Sequence, residues 1–433
     1  MIRAIHRLPL CLSLLACALC AQDFSIHGVT DKEVAIYKPG EPIVFTLRVL
    51  DGGKPVAGHK LTWTRTGDDG KTDKGEGIVH ETGLKVTVQT NTPGFVRLRV
   101  SAFAPDGKRL QGNLGGWGKK RIGHASFDGG ACIEPEKLTS TPEPEDFDAF
   151  WKGMKGKLDA VPIKAERKEL PTKNPKVKLY AITIDCAGPK PVTGYLSIPV
   201  DAKPKSLPGI CEFHGYGVRK HNPPGRPREG AIVLNINAHG MELGRDDAYY
   251  AQLIKDLKSY CFKNGENQDR EKTYYYGMAL RVMRALQYVK SLPEWNGKDL
   301  ASNGGSQGGL QGLWGAGLDA DVTSCSIWSP WCCDFGGINV GRLRGWRPDY
   351  AKALDYYDPV FHAKRIKGKA HLIANYGDYT CPPSGVWVAY NNIPHDNKSM
   401  EVKQGCTHGY RMKPHMSYTI SPKGIANIGP RKQ

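Results

Sequence analysis

The sequence predicts two architectures in series: a small all-β sandwich over residues 22–131, and an α/β fold with a doubly wound, mostly parallel sheet over residues 148–433. Three observations predict it. Apolar and polar residues alternate in the first part, while strand-like and helix-like runs alternate in the second. A glycine-rich stretch, "ASNGGSQGGL" from Ala301 to Leu310, also sits where one of those strands should turn into a helix. A chain of 433 residues suits two or three domains, and its 40% hydrophobic content is ordinary for a globular protein.

Residues 1–21 stand apart. Arg3 and Arg7 precede the apolar "LPLCLSLLACALCA", and polar "QDFS" follows. That is the layout of a secretory signal, with cleavage expected near Cys20 or Ala21. Leu14 to Cys17, "LLAC", also fits a lipoprotein cleavage box, which would leave Cys17 lipid-anchored. Either route exports the protein to the periplasm, the medium or the cell surface. No later run approaches the roughly 20 apolar residues needed to span a bilayer.

The formal net charge is +17, but the basic residues are scattered and the densest run is Lys119-Lys120-Arg121. No aromatic residues interleave with them, so the charge reads as a solvated basic surface, with acidic glycans or an anionic cell surface as the other reading. No nucleic-acid partner is expected. Twelve cysteines include three in the N-terminal segment, leaving nine at 132, 186, 211, 261, 325, 332, 333, 381 and 406. Export would favour pairing among them, with at least one left over. None has zinc-ligand spacing, so no structural metal is expected.

In the first domain, Ile43, Phe45, Leu47 and Val49 alternate with other residues, Gly52-Gly53 forms a turn, and Leu61 and Trp63 lie in the next run. Val96, Leu98 and Val100 should face one way and Arg97 and Arg99 the other. Short strands with Gly/Pro turns suggest an immunoglobulin-like sandwich, read as a spacer or packing module. Residues 132–147, "CIEPEKLTSTPEPEDF", read as a linker.

Strands are expected at 177–185, 192–199, 208–214, 231–237, 299–304, 323–328, 369–376 and 399–404. Met278, Val282, Ala285, Leu286 and Val289 define one apolar face of a helix over about 272–291. Another helix should begin at Pro382-Pro383. The chain beyond about residue 412 shows no periodicity and is expected to wrap the surface or fray.

Gly304-Gly305-Ser306-Gln307-Gly308 fits G-x-S-x-G, the sharp turn that presents a nucleophilic serine in α/β-hydrolases. A serine hydroxyl needs a histidine to take its proton and a carboxylate to orient that histidine. Asp378 follows the strand 369–376 and His408 follows the strand 399–404, in the chain order this fold requires. Asp334 and Asp358 compete as acids, and His395 and His415 as bases. The oxyanion needs two main-chain donors. Gln307 supplies one, and Tyr216, in "ICEFHGYGV", is assigned the other. His214 in the same loop is expected to be structural.

From about 141 to 412 the chain resembles carbohydrate esterase family seven, the acetyl xylan esterases and cephalosporin C deacetylases. The resemblance rests on "PEDFDAFW" (144–151), similar to that family's opening helix, and on "FHGYG" (213–217) for its oxyanion loop. "YYYGMALRVMRALQYVKSLPEW" with "GGSQGG" (304–309) resembles the nucleophile region, and "CCDFGG" with "GDYTCPPSGVWVAYNNI" the acid-bearing segment. It implies Ser306 as nucleophile, Asp378 as acid and His408 as base, deacetylation of carbohydrate through an acyl-enzyme, and no cofactor. It also implies a homo-oligomer, since such enzymes often form hexamers. Three features depart from the pattern: "NAHGME" (237–242) replaces an Arg-Gly-Gln motif, Gly409 stands where glutamate is usual, and the N-terminal sandwich is extra. A peptidase of the prolyl-oligopeptidase type shares the triad order, and a glycan-binding protein on an inactive hydrolase scaffold is a third reading.

Overall fold

The computed structural model of the chain describes residues 23–113, 122–225, 227–409 and 415–431. The expected signal, the candidate lipidation site Cys17 and the run Lys119-Lys120-Arg121 lie outside the described residues.

Alternation governs the N-terminal part. Ile43, Phe45, Leu47 and Val49 are completely buried along the strand Ile43–Asp51, as are Leu98 and Val100 along Gly94–Phe103, whereas Arg99 points outward. The first of these strands pairs antiparallel with Phe24–Thr30, Lys54–Val56 and Leu84–Val88. The second lies in a five-stranded sheet with Lys60–Gly67 and Thr72–Ile78 on one side and Ser126–Ile133 and Ile36–Tyr37 on the other. The two sheets bury Ile26, Phe45 and Leu47 with Leu61, Leu98 and Phe127 in the hydrophobic core. Each such side chain contributes about 1.5–3 kcal/mol by leaving water.

The segment read as a linker is not a loose tether. It forms a short 3-10 turn at Pro135–Lys137, and Leu138 is buried. Asn391 Nδ2 donates to the carbonyls of Pro135 (2.8 Å) and Leu138 (2.9 Å), which lays the segment along the helix Pro383–Asn392. Polar composition alone cannot distinguish a solvated linker from one whose carbonyls find partners.

An eleven-stranded sheet forms the rest. Its centre is parallel and runs Ile232–Ile236, Leu207–Phe213, Trp295–Gly305, Ser324–Trp328, Lys369–Asn375 and Lys398–Lys403. Ala165–Leu170, Val177–Ile184 and Val192–Pro199 extend one edge antiparallel. The first of these has an almost wholly exposed burial pattern and escaped the sequence reading. The helix Asp247–Asp256, with a mostly exposed surface, escaped it too. The helix Tyr274–Ser291 is buried nearly all round rather than on one face. Its Arg281 and Arg284 donate to main-chain carbonyls of Ala238, Leu158 and Val161, which gives partners to guanidinium groups that periodicity assigns to solvent.

Two expectations are corrected. The C-terminal tail does not fray among its described residues: His415–Ser421 and Gly424–Arg431 form an antiparallel hairpin that completes the second edge of the sheet. Asparagine, glycine and proline mask its strand pattern, while pairing to Lys398–Lys403 and burial of Tyr418 and Ile420 hold it. None of the nine cysteines forms a disulfide; eight are buried. No helix of the described residues is long and apolar enough to cross a membrane.

Candidate active site

The stretch around Ser306 is a strand-to-helix turn. The strand Trp295–Gly305 ends at Gly305, the helix Gln307–Leu318 begins at Gln307, and Ser306 between them holds φ 57° and ψ −123°. Such a conformation is strained for a residue with a side chain and persists only where its surroundings enforce it. Here the Ser306 amide donates to Trp328 O (2.9 Å), and its carbonyl accepts from Leu310 N (3.0 Å) and Trp331 N (2.9 Å). Close approach explains the glycines: a Cβ on Gly308 would lie 2.0 Å from Phe213 O, and one on Gly304 2.2 Å from Gly308 O.

Two loops at the same end of the parallel strands bring up the partners. His408 Nε2 lies 2.9 Å from Ser306 Oγ, and His408 Nδ1 lies 2.8 Å from Asp378 Oδ2. The other oxygen of Asp378 accepts from the amides of Thr380 (2.8 Å) and Cys381 (2.9 Å), which orients the carboxylate. The Asp378 side chain is completely buried, the His408 side chain is 21% exposed, and the Trp328 ring lies 5.0 Å from the imidazole. The histidine is thus shielded on one face yet reachable from solvent.

The competing residues serve elsewhere. Asp334 pairs with Arg342, and Asp358 caps the helix Pro359–Ala363 while accepting from the amides of Asp334 and Phe335. Burial, with the Asp334 carboxylate nearby, pushes Asp358 up to about 8. His415 lies in the edge hairpin, and both ring nitrogens of His395 are buried.

The two segments expected to hold an oxyanion lie together beside Ser306. Gln307 is the first residue of its helix, where main-chain N–H groups have no partner within the helix. The loop carrying Tyr216 passes beside the serine, since a Cβ on Gly215 would sit 3.7 Å from Ser306 Cβ. Tyr260, which the sequence reading missed, ties the two together: its hydroxyl donates to Gln307 Oε1 (2.6 Å) and accepts from Gly217 N (2.9 Å). Its ring stacks on Tyr216 at 4.3 Å. A tyrosine in "KSYCFK" carries no sequence signal for this. His214 joins the loop to its neighbour, because Nε2 accepts from Ala238 N (3.0 Å) while Nδ1 lies 2.7 Å from Gly215 O. Burial lowers it to about 4, so it is a neutral structural link.

Among the described residues, the ligand-type atoms of Asp378, Cys381 and His408 lie within 4.8 Å of one another. Burial raises the Cys381 thiol well above its ordinary value, which keeps it protonated and a poor metal ligand.

A hydroxyl, an imidazole and a buried carboxylate in line suit acyl transfer from an ester. The comparison with known proteins agrees. The chain matches the acetyl xylan esterase family over residues 136–343 and 344–420, well over half its length. It belongs to that family. The expected likeness to family-seven acetyl xylan esterases therefore holds, and the chain is a carboxylic ester hydrolase of α/β-hydrolase type. It is 28% identical to "Acetyl esterase Axe7A" of Xylanibacter ruminicola over 326 residues, 71% of this chain and 69% of that one. Among solved structures it is similar to an acetyl xylan esterase from Paenibacillus sp. R4, with 25% identity and a TM-score of 0.52 over 64% of this chain and 93% of the other. Acetyl xylan esterase 1 from Thermoanaerobacterium sp. JW/SL YS485 shares the fold at 22% identity and a TM-score of 0.51, over 64% and 92% of the two chains. The family match begins beyond Ser126–Ile133, the last strand of the N-terminal unit.

Proposed function

We propose that this acetyl xylan esterase family member removes acetyl groups from O-acetylated carbohydrate through an acyl-enzyme on Ser306. The observation that carries this reading is the line from Ser306 Oγ to His408 Nε2 and from His408 Nδ1 to Asp378 Oδ2. Ser306 Oγ attacks the acetyl carbonyl as its proton passes to His408 Nε2. The amides of Tyr216 and Gln307 hold the negative charge on the carbonyl oxygen. Collapse returns the proton from His408 to the sugar oxygen and releases the alcohol. Water, deprotonated by the same imidazole, then frees acetate and restores Ser306. Asp378 holds the imidazole in the tautomer that receives the proton on Nε2.

We further propose that the protein is exported by its N-terminal segment, as a cleaved or a Cys17-lipidated form, and that the N-terminal unit is an immunoglobulin-like module. Among its described residues the sheets of that unit show no repeated propeller blades, so nothing there favours a peptidase of the prolyl-oligopeptidase type.

The test is acetate release across acetylated polysaccharides and small acetylated sugars, with aminoacyl-proline amides beside them. Turnover of acetylated carbohydrate with a burst of alcohol before steady state is expected. Amide cleavage without acetate release would overturn the assignment.

A further inference from the structure

The acid and base loops do not hold their positions unaided. Both lean on the N-terminal unit through the strand Ser126–Ile133. That strand has Gly94–Phe103 on one side, but on its other edge Ile36–Tyr37 pairs only with Cys132 and Ile133. Gly130 therefore has main-chain groups with no strand beside them, and Gln404 fills the gap. Gln404 Nε2 donates to Gly130 O (2.6 Å), and its Oε1 accepts from Gly130 N (3.1 Å) and Gly405 N (3.2 Å). The side chain is buried, and it lies four residues before His408.

The acid loop touches the same strand. Gly377, one residue before Asp378, packs so closely that a Cβ there would lie 2.2 Å from Asp128 O. Arg97 pairs with the Asp128 carboxylate and lays its guanidinium 5.0 Å from the ring centre of Tyr379, one residue after Asp378. The two loops are also tied to each other, by Gly377 N to Cys406 O (2.9 Å) and Asn375 Nδ2 to Thr407 O (3.3 Å).

We infer that the N-terminal unit is a working part of the esterase, and that Gln404 is a positioning residue that sets the His408 loop against Asp378 and Ser306 by pairing with Gly130. The inference rests on the proposed Ser306 chemistry. A shift of about 1 Å in a catalytic group can cost on the order of 100-fold in rate, so a loop set by a neighbouring unit makes that unit part of the rate. Among the described residues the Gln404 side chain bonds only main-chain groups of Gly130 and Gly405, so the effect belongs in kcat rather than KM.

The experiment measures p-nitrophenyl acetate hydrolysis well below each variant's unfolding midpoint. Wild type against Ser306→Ala first establishes the underlying chemistry independently. Gln404→Met, which fills the space without either hydrogen bond, should then lose about 10- to 100-fold in kcat with KM within about twofold. Gly377→Ala, which forces the acid loop off Asp128, should behave alike. Gln404→Glu, which keeps an acceptor for Gly130 N but loses the donor, covers the case in which the methionine variant does not fold. The control is Val49→Ala, in the sheet that does not meet these loops; it should lower the unfolding midpoint and leave kcat unchanged. Wild-type kcat in the folded Gln404 and Gly377 variants overturns the inference. So does an equal loss of kcat in Val49→Ala, which would mark the effect as general destabilisation.

Discussion

His408 Nε2 and Ser306 Oγ, 102 residues apart along the chain, stand 2.9 Å apart in the fold. In the proposed mechanism, removing either end of this contact removes the proton transfer that activates the hydroxyl. Ser306→Ala and His408→Ala should each lower kcat for p-nitrophenyl acetate by on the order of 10⁴-fold or more, with circular dichroism unchanged. Ser306→Ala should also abolish labelling by a fluorophosphonate. Residual labelling at another serine would displace Ser306 from its role.

Asp378 accepts from His408 on one oxygen and from two amides on the other. In Asp378→Asn the shape survives but the partner of His408 Nδ1 is no longer an anion. Activity should fall about 10³- to 10⁴-fold. Asp334→Asn and Asp358→Asn disturb hydrogen bonds outside this line, so their kcat in folded protein should stay within a few-fold of wild type. A reversed ranking in steady-state kinetics would reassign the acid.

Gly308 has no room for a methyl group, since the obstacle is the main chain at Phe213 O. Gly308→Ala should force the helix Gln307–Leu318 away from the loop that carries Tyr216. Expected outcomes are a loss of about 1–3 kcal/mol or more in denaturant unfolding and a drop in kcat from the displaced oxyanion donors. An alanine variant as stable and as active as wild type would contradict the close crossing.

His214 is neutral in the fold because burial, with His221 and Arg219 adding to it, lowers it from 6.5 to about 4. The unfolded chain therefore binds a proton at this position first as the pH falls. Its contribution to stability is present above about 6.5 and is lost on acidification towards about 4. The difference in unfolding midpoint between wild type and His214→Gln should shrink over that interval. A difference that grows on acidification would reverse the sign of the shift.

Strands of the large sheet were legible where a short apolar run lies beside turn residues. Val192–Pro199 is buried at every position and was placed to the residue. The nucleophile turn was legible because only glycine tolerates the crossing at Gly304 and Gly308, so geometry leaves its mark on composition. The meeting of Asp378 and His408 with Ser306 was legible through chain order, since both follow successive later strands. The C-terminal hairpin was not, because Gly424–Arg431 contains asparagine, glycine and proline and gains its stability from register with a neighbour. Tyr260 was not legible either. Its two hydrogen bonds join segments 43 and 47 residues away, and no local spacing encodes that.

The amino-acid sequence by itself determined the residue types, the strand-to-helix turn and the chain order of serine, acid and base. These follow from local sterics and from the period of apolar residues, both written over a few neighbouring positions. Only the tertiary structure decided which aspartate meets His408, how Tyr260 joins the two oxyanion segments, and that Gln404 docks on Gly130. Those are long-range contacts. Their partners are chosen by what folding brings within hydrogen-bond reach and by which buried polar groups would otherwise go without one.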